Sequence, residues 1–318
     1  GATLFHIPAS RSPPSWEEYF EPFMVVSTVG GGGFYFNLST RNKMEKLDTL
    51  DNSMMADFRK CPRYFQLRHI ENLVPISDYI KFKAEFGSAI HEALESWYTE
   101  HDGIKMDEAF IKYWSPFEGQ DDTGIRTVAK GLLVCEKYRS WYPTEPFEML
   151  ETEIGGSVDL GPFLFTFKCD GLIKDHEGNF WILEHKTSAH RGFLIPNPNV
   201  QLTGYIQAVS IIKGVAVKGA YLNQIYFRKG RKGEPQMDTI SLQREETTRS
   251  PNDLKEWLAD AIAWAKMIGE ACENEYFPKA TESCTAYGGC QYIEICKCGD
   301  LNVQKTVKKA LFKEEKWE

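Results

Sequence analysis

Three ionisable residues at short spacings carry the first sign of chemistry in this chain: Asp170 in FLFTFKCD, and Glu184 and Lys186 in FWILEHKT. In an extended strand, side chains two apart share a face, so the Glu184 carboxylate and the Lys186 ammonium point one way and His185 the other. The turn signal DHEGN at 175–179 folds the two segments together, which lets Asp170 and Glu184 meet at one end of the pair. Two hard carboxylate oxygens there suit Mg2+ or Mn2+. A lysine beside such an ion can orient or polarise a water, or offset charge developing on a phosphate. The same residues would also serve as an ion pair at a strand end, with Asp170 opening a turn with Gly171. A string as short as D…ExK recurs by chance, so companions must decide.

Gln201 and Tyr205, in QLTGY, are four apart on the helix expected after the strand, so both can face the sheet end and reach a phosphate or the lysine. His91, in GSAIH, adds an imidazole from an earlier helix, and a mixed imidazole and carboxylate set shifts preference from Mg2+ toward Mn2+. Glu153, in ETEIG, sits on the preceding strand, from which it could reach the site, although a place at the surface or behind the ligands is the expectation.

The elements that must position these groups follow from periodicity. FGSAIHEALESWY places Phe86, Ala89, Ile90, Ala93, Leu94, Trp97 and Tyr98 at helical spacing, with Gly87 and His91 along one side. A second helix is predicted over 125–141 and is ended by Pro143 and Pro146. FEMLETEIG, FLFTFKCDGLIKD and FWILEHK are rich in β-forming residues and predict a three-stranded antiparallel meander. NVQLTGYIQAVSII predicts a helix, KGAYLNQIYFRKG a strand, and 251–272 a helix with Pro251 at its start. Residues 1–50, rich in Pro, Ser and Gly, predict an irregular arm. The glycine run at 30–33 lacks the Gly-Lys-Ser/Thr ending of a phosphate loop.

A net charge of −8 over 318 residues excludes a uniformly basic coat. Two local clusters remain: Arg59, Lys60, Arg63 and Arg68, and Arg228, Lys229, Arg231 and Lys232. No apolar run approaches the roughly 20 residues of a membrane helix. The first residues lack the basic start and apolar centre of a secretory signal, so a cytoplasmic location is the expectation. Four of the eight cysteines crowd into 284–298, a distribution unlike a disulfide framework. Cys284, Cys290 and Cys296 are spaced by five intervening residues, with Cys298 just after. Such a gathering in a reducing compartment holds a soft metal. The fourth ligand is Cys61, in RKCPRYF, or Cys298 in a purely local site, and zinc and an iron–sulfur cluster are the two occupants that four thiolates fit. Cys135, Cys169 and Cys272 lie in apolar stretches and read as ordinary buried thiols.

The ordered set GSAIH, CDGLI, ILEHK and QLTGY resembles the PD-(D/E)XK nuclease superfamily, specifically its RecB-like branch, which includes bacteriophage exonucleases and CRISPR adaptation nucleases. The resemblance implies an α/β fold with a restriction-endonuclease-like core, a central mixed sheet flanked by helices, and a helical insertion. It implies that His91, Asp170, Glu184 and the backbone carbonyl of His185 bind Mg2+ or Mn2+, that Lys186 is catalytic, and that Gln201 and Tyr205 complete a QxxxY motif. Cys169 stands where the family often has Pro or Ile before the aspartate. Members with an iron–sulfur cluster imply a 4Fe–4S group on Cys61, Cys284, Cys290 and Cys296 that staples the two ends of the chain and plays a structural part. The expected organisation is an arm at 1–50, one nuclease domain at 51–300 and a charged tail at 301–318. Within the domain, 87–145 is helical, 146–245 forms the catalytic sheet, and 251–298 carries the last helix and the cysteines.

The function so implied is a metal-dependent deoxyribonuclease, an exonuclease on single strands or duplex ends, in recombination, repair or phage DNA processing inside a bacterial or phage-infected cell. Arg59, Arg63, Tyr64, Arg228, Lys229 and Arg231 are the expected nucleic-acid contacts, with Phe65, Trp97 and Tyr98 as further stacking candidates. The rival readings are a non-catalytic DNA-binding or assembly subunit and a nuclease that works only with a separate helicase or recombination chain. No helicase nucleotide motif occurs in these residues, so any motor would be a separate chain, and a homo-oligomer is a further possibility. An intact His91, Asp170, Glu184 and Lys186 set speaks against a dead site.

Overall fold

Alternating apolar residues in the middle of the chain build a six-stranded mixed sheet with helices on both faces. The computed structural model describes residues 49–76, 81–121, 123–189 and 194–315, so most of the arm expected at 1–50 lies outside the described residues. The strands are β1 (Thr49–Leu50), β2 (Leu73–Pro75), β3 (Phe147–Asp159), β4 (Leu164–Asp175), β5 (Phe180–Ser188), β6 (Val217–Phe227), β7 (Ile240–Thr248) and β8 (Phe312–Glu314). The helices are α1 (Asn52–Lys60), α2 (Pro62–Phe65), α3 (Lys81–Glu100), α4 (Gly103–Trp114), α5 (Val128–Trp141), α6 (Val200–Lys213), α7 (Pro251–Glu273), α8 (Ile293–Lys297) and α9 (Leu301–Leu311).

The meander is present. β3 and β5 both pair antiparallel with β4, β6 joins β5 in parallel after the α6 crossover, and β7 closes the edge antiparallel to β6. β3 occupies one edge of β4 along its whole length. The other edge is shared: β1 pairs with Leu164 and Phe165, whereas β5 pairs only with 171–174. Between these two stretches β4 and β5 part, and Asp170 lies in the resulting fork. The alternative in which Asp170 opens a turn is therefore overturned, because β4 runs on through Gly171 to Asp175.

Strand alternation sorts the core. Ile182 on β5 packs with α1, α6 and α7, where Trp257, Leu258 and Ala261 are buried. Trp181 and Leu183 face the opposite layer of α3, α4 and α5. Full burial of each large apolar side chain in these layers contributes about 1.5–3 kcal/mol. α6 is buried along Leu202–Ser210 because it lies between the sheet and α7. Asn199 caps its start by accepting from the Gln201 and Leu202 amides, and Gly214 ends it with a φ of 64° in the left-handed region.

α5 starts at Val128 rather than 125, because the Thr127 side chain accepts from the Lys130 amide and caps the helix there. Its Gly131 touches α4 so closely that a Cβ would lie 1.8 Å from Cζ of the buried Phe110 ring. Gly131→Ala would add up to about 1 kcal/mol of helix propensity. Overpacking against an immobile ring costs roughly 1–3 kcal/mol and prevails. The variant is expected to unfold at lower urea concentration than the parent, and an equal or higher midpoint would contradict the contact.

The β4–β5 turn is held by Asp175. Its carboxylate accepts from the Glu177 and Asn179 amides at 2.9 and 2.8 Å and from Trp181 Nε1 at 2.9 Å. Partial desolvation opposes ionisation, but the donors from Asn179, Trp181 and Glu177 outweigh it and hold this carboxyl below the usual carboxylate range. A depressed folded pKa means the turn's contribution is fully present above the unfolded value of 3.8 and is lost as pH falls below it. Asp175→Asn is expected to lower the melting temperature near neutral pH, with a gap to the parent that narrows below that value. A gap that stays constant down to about pH 3 would count against the linkage.

The stretch expected as a tail at 301–318 is instead partly structured. α9 spans Leu301–Leu311, and β8 pairs antiparallel with β2. Tyr292, Ile295 and Phe312 join Leu67 and Leu73 in a small separate core, and Tyr292 OH donates to the Leu73 carbonyl at 2.6 Å. Among the described residues no helix is long and apolar enough to cross a membrane.

Candidate active site

The fork between β4 and β5 opens into a cleft of about 470 Å3 lined by His91, Asp170, Glu184, Lys186, Gln201 and Tyr205. Each arrives from a different local rule. β5 alternation sends Glu184 and Lys186 toward the α6 layer, and Lys186 Nζ donates to Glu184 Oε1 at 2.6 Å. Helical spacing stacks Gln201 beneath Tyr205, with Gln201 Nε2 donating to the tyrosine oxygen at 2.7 Å. α3 supplies His91 from the other layer, and Gly87 lets that helix come close, since a Cβ there would sit 2.9 Å from Thr187 Oγ1.

Asp170 is the hinge of the arrangement. Its Oδ1 lies 2.9 Å from His91 Nδ1, and its Oδ2 accepts from the His185 backbone N–H at 2.5 Å. An ionised carboxylate only accepts, so Nδ1 of His91 carries the proton and Nε2 is left as the ring's other nitrogen. Burial pushes the Asp170 carboxyl up, but the hydrogen bond and charge of His91 prevail and hold it at about 2. Burial likewise opposes a charged His91, and the Asp170 contact raises it nonetheless. Glu184 behaves in the opposite way: burial and the neighbouring Asp170 charge push its carboxyl up against the pull of Lys186. His185 is buried neutral, its imidazole depressed to about 3 by desolvation.

One oxygen is left over. Glu184 Oε2 is buried and has no hydrogen-bond partner, although Glu184 itself is only 3% exposed. A buried carboxylate oxygen without a donor is costly, and a hard cation is what such an oxygen accepts. Among the described residues no three His, Cys, Asp or Glu side chains are gathered tightly enough to hold an ion as they stand. His91 and Asp170 are engaged with each other instead, and a cation would take the place of that contact. The donor set of carboxylates with one imidazole fits Mg2+ or Mn2+.

The sequence profile of the PD-(D/E)XK nuclease superfamily matches residues 52–297, well over half of the chain. The chain belongs to the PD-(D/E)XK nuclease superfamily. No curated protein matches it in sequence. Among solved structures, this nuclease is similar to a protein of Eubacterium rectale provisionally described as an exonuclease, with 12% identity, a TM-score of 0.47, and coverage of 85% of this chain and 100% of that one. It is also similar to SSO0001, at 12% identity and a TM-score of 0.30, over 79% of this chain and 86% of that one.

The nuclease cleft also takes in Tyr113, which the sequence did not single out, and Glu153, which it placed at the surface or behind the ligands. Tyr113, from α4, lines it and donates to Glu85 at 2.8 Å. Glu153 reaches the cleft rim beside Lys168, whose Nζ lies 2.5 Å from its carboxylate, and takes a φ of 51°, uncommon for a non-glycine residue. An acidic residue opposite the fork was the available signal for Glu153. Tyr113 had none, because nothing local ties α4 to the sheet.

The residues expected to contact nucleic acid lie elsewhere. Arg59 sits 5.7 Å from the Trp264 ring, Arg63 donates to Gln66 at 2.5 Å, and Arg228 is paired with Glu234. Lys229 and Arg231 are exposed on the loop between β6 and β7. Phe65 and Tyr98 are core residues, and Trp97 packs beside the α3 core. Tyr64 lines a second cavity, of about 290 Å3, together with Cys61, Cys284, Cys290 and Cys296. The Ala280 amide donates to Cys61 Sγ at 3.4 Å, and burial raises the Cys290 and Cys296 thiols. Cys298 is not part of this wall, and its Sγ donates to the Glu294 carbonyl at 3.1 Å. Cys135 and Cys169 are buried and Cys272 is half-buried.

Proposed function

We propose that this nuclease is a metal-dependent deoxyribonuclease that works from the ends of DNA, on single strands or duplex termini. The observation that carries the reading is the unpartnered Glu184 Oε2 beside the Lys186 ammonium, in a cleft that also gathers Asp170 and His91. His91, Asp170, Glu184 and the His185 carbonyl would hold Mg2+ or Mn2+. The bound cation supplies positive charge against the phosphoryl oxygens and makes a neighbouring water more acidic. Lys186, with two N–H groups beyond the one given to Glu184, holds the attacking water or a phosphoryl oxygen. Gln201 and Tyr205, linked to each other, present donors to the same phosphate. The water oxygen then bonds to phosphorus as the bond to the leaving sugar oxygen breaks, and that oxygen takes up a proton. Tyr113 gives the cleft a ring on which a base can stack.

The second part of the proposal is a 4Fe–4S cluster on Cys61, Cys284, Cys290 and Cys296. The four cysteines line one cavity, and four thiolates around one space are the ligand set that a 4Fe–4S cluster takes, with zinc the alternative occupant. Hydrolysis moves no electrons, so the cluster's role is to join the α1–α2 region to the C-terminal segment.

End-labelled single-stranded and duplex DNA, linear and circular, incubated with anaerobically purified protein and Mg2+, Mn2+ or EDTA, tests the reading. Loss of linear DNA alone, dependent on metal, is the expected result. Cutting of circles would replace the end requirement with endonuclease action. No cleavage with any substrate would turn the reading toward a DNA-binding subunit.

A further inference from the structure

Beneath the catalytic strand, on the face opposite Glu184 and Lys186, lies a buried polar row that the proposed hydrolysis does not use. His185, Asn223 and Arg244 are register partners across β5, β6 and β7. Glu145, on the link between α5 and β3, takes both ends of the Arg244 guanidinium, with Nη2 at 3.0 Å from Oε1. Tyr98 from α3 and Tyr138 from α5 complete the group.

The direction of every hydrogen bond in this row is fixed by Arg244, which can only donate. Its Nε gives a proton to Asn223 Oδ1 at 2.5 Å, so the amide cannot be flipped and Nδ2 must face the other way. Nδ2 has two protons and two neighbours, Tyr138 OH at 2.9 Å and His185 Nδ1 at 3.1 Å. His185 Nδ1 is therefore an acceptor, and the ring proton sits on Nε2. Tyr98 OH donates to Glu145 at 2.7 Å, which leaves Tyr138 as the donor in the 2.6 Å contact between the two phenols. The chain of donors thus ends on the Glu145 carboxylate with the central bonds accounted for.

Such a row is an expensive way to fill space. A buried ion pair is a weak source of stability, and apolar residues of similar volume do as well or better. What a directed network supplies is a single orientation. Here the oriented residue is His185, whose ring is clamped by Tyr98 at 5.9 Å and Tyr138 at 6.0 Å and meets the His91 ring edge-on at 6.0 Å. Its backbone N–H holds Asp170 where β4 and β5 no longer pair.

We infer that Glu145, Arg244 and Asn223 are positioning residues of the metal centre: acting through the His185 ring, they fix the strand segment that holds Asp170 and presents Glu184. The inference rests on the reading of Asp170 and Glu184 as cation ligands. It adds a role for three residues that never touch substrate. The residues that orient a ligand set are worth about 10- to 100-fold in metal affinity.

The test uses the full chain labelled with 15N in histidine and backbone. Proton–nitrogen correlation of the imidazole reads the His185 tautomer, hydrogen exchange reads its amide, and titration with Mn2+ followed by electron paramagnetic resonance reads affinity. The parent is expected to show the Nε2–H form and a protected His185 amide. Asn223→Asp puts an acceptor where Nδ2 was, so the ring proton should move to Nδ1, the amide should exchange faster, and Mn2+ should bind about tenfold more weakly. Asn223→Ala, should the aspartate variant fail to fold, removes the same donor and should loosen the amide and the Mn2+ site alike. A parent with the Nδ1–H form overturns the inference. So do variants that melt earlier yet keep the tautomer, the amide protection and the Mn2+ affinity, because that is the behaviour of a merely structural network. If the parent takes up no Mn2+ at all, the metal-centre reading fails and the inference with it, and intact tautomer and amide signals would mark that failure as distinct from a wrong account of the network.

Discussion

Cleavage by Lys186→Ala is expected to fall by about 100- to 1,000-fold, the effect of removing a donor aimed at developing charge. The side chain is 31% exposed and rooted on a strand whose backbone is fixed by pairing with β6, so its loss should leave the fold intact. Two effects act together. The cleft loses the N–H groups that reach water and phosphate, and Glu184 loses the positive neighbour that opposes the upward push of burial on its carboxyl. A protonated Glu184 is a poorer cation ligand, so Mn2+ should also bind less tightly. Lys186→Arg separates the two, because it restores the charge beside Glu184 while replacing a compact ammonium with a broad planar fork. That variant should recover metal affinity more fully than rate. Single-turnover cleavage at saturating Mn2+ together with a Mn2+ titration reads both quantities, and a Lys186→Ala enzyme that cuts at the parent rate would remove Lys186 from the mechanism.

The other large effect concerns the cysteine cavity. Anaerobically purified protein is expected to be brown and to carry about four iron and four acid-labile sulfide per chain. Cys290→Ala should bleach it and lower the melting temperature by about 10 °C, since metal binding and folding of such a segment are coupled. The cavity wall joins Cys61, after α1, to residues beyond α7, so losing the group should release the small core of Leu67, Leu73, Tyr292, Ile295 and Phe312. Cys298→Ala is the control: its thiol bonds to the Glu294 carbonyl outside the cavity, and colour and melting should stay as in the parent. Colourless protein with one zinc per chain would replace the cluster by a zinc site. Absence of any metal, with unchanged melting of Cys290→Ala, would remove the assignment.

Some of this site is a local property of the chain. The placement of Glu184 and Lys186 on one side of β5 and His185 on the other follows from a period of two. The stacking of Gln201 and Tyr205 on α6 follows from helical rise, and the β4–β5 turn follows from Asp175 accepting from the backbone amides of Glu177 and Asn179. Such features need only neighbouring residues, which is why the ordered motifs could be read before any contact was known.

Tertiary structure decided the rest. β4 and β5 stop pairing after Gly171 and Leu183, leaving Asp170 in a fork, and the far end of β4 pairs instead with β1, a partner more than 100 residues away in the chain. His91 meets Asp170 only because α3 is pressed on the sheet by the buried Phe86, Ile90 and Leu94. No local period marks Asn223 and Arg244 as partners of His185, since a register across three strands is fixed by burial on both faces and by the connections between them. The same holds for Cys61, whose meeting with the C-terminal cysteines is set by the small core beneath them. Sequence determined which groups the site owns and which way each strand or helix points them; long-range burial determined which of them meet.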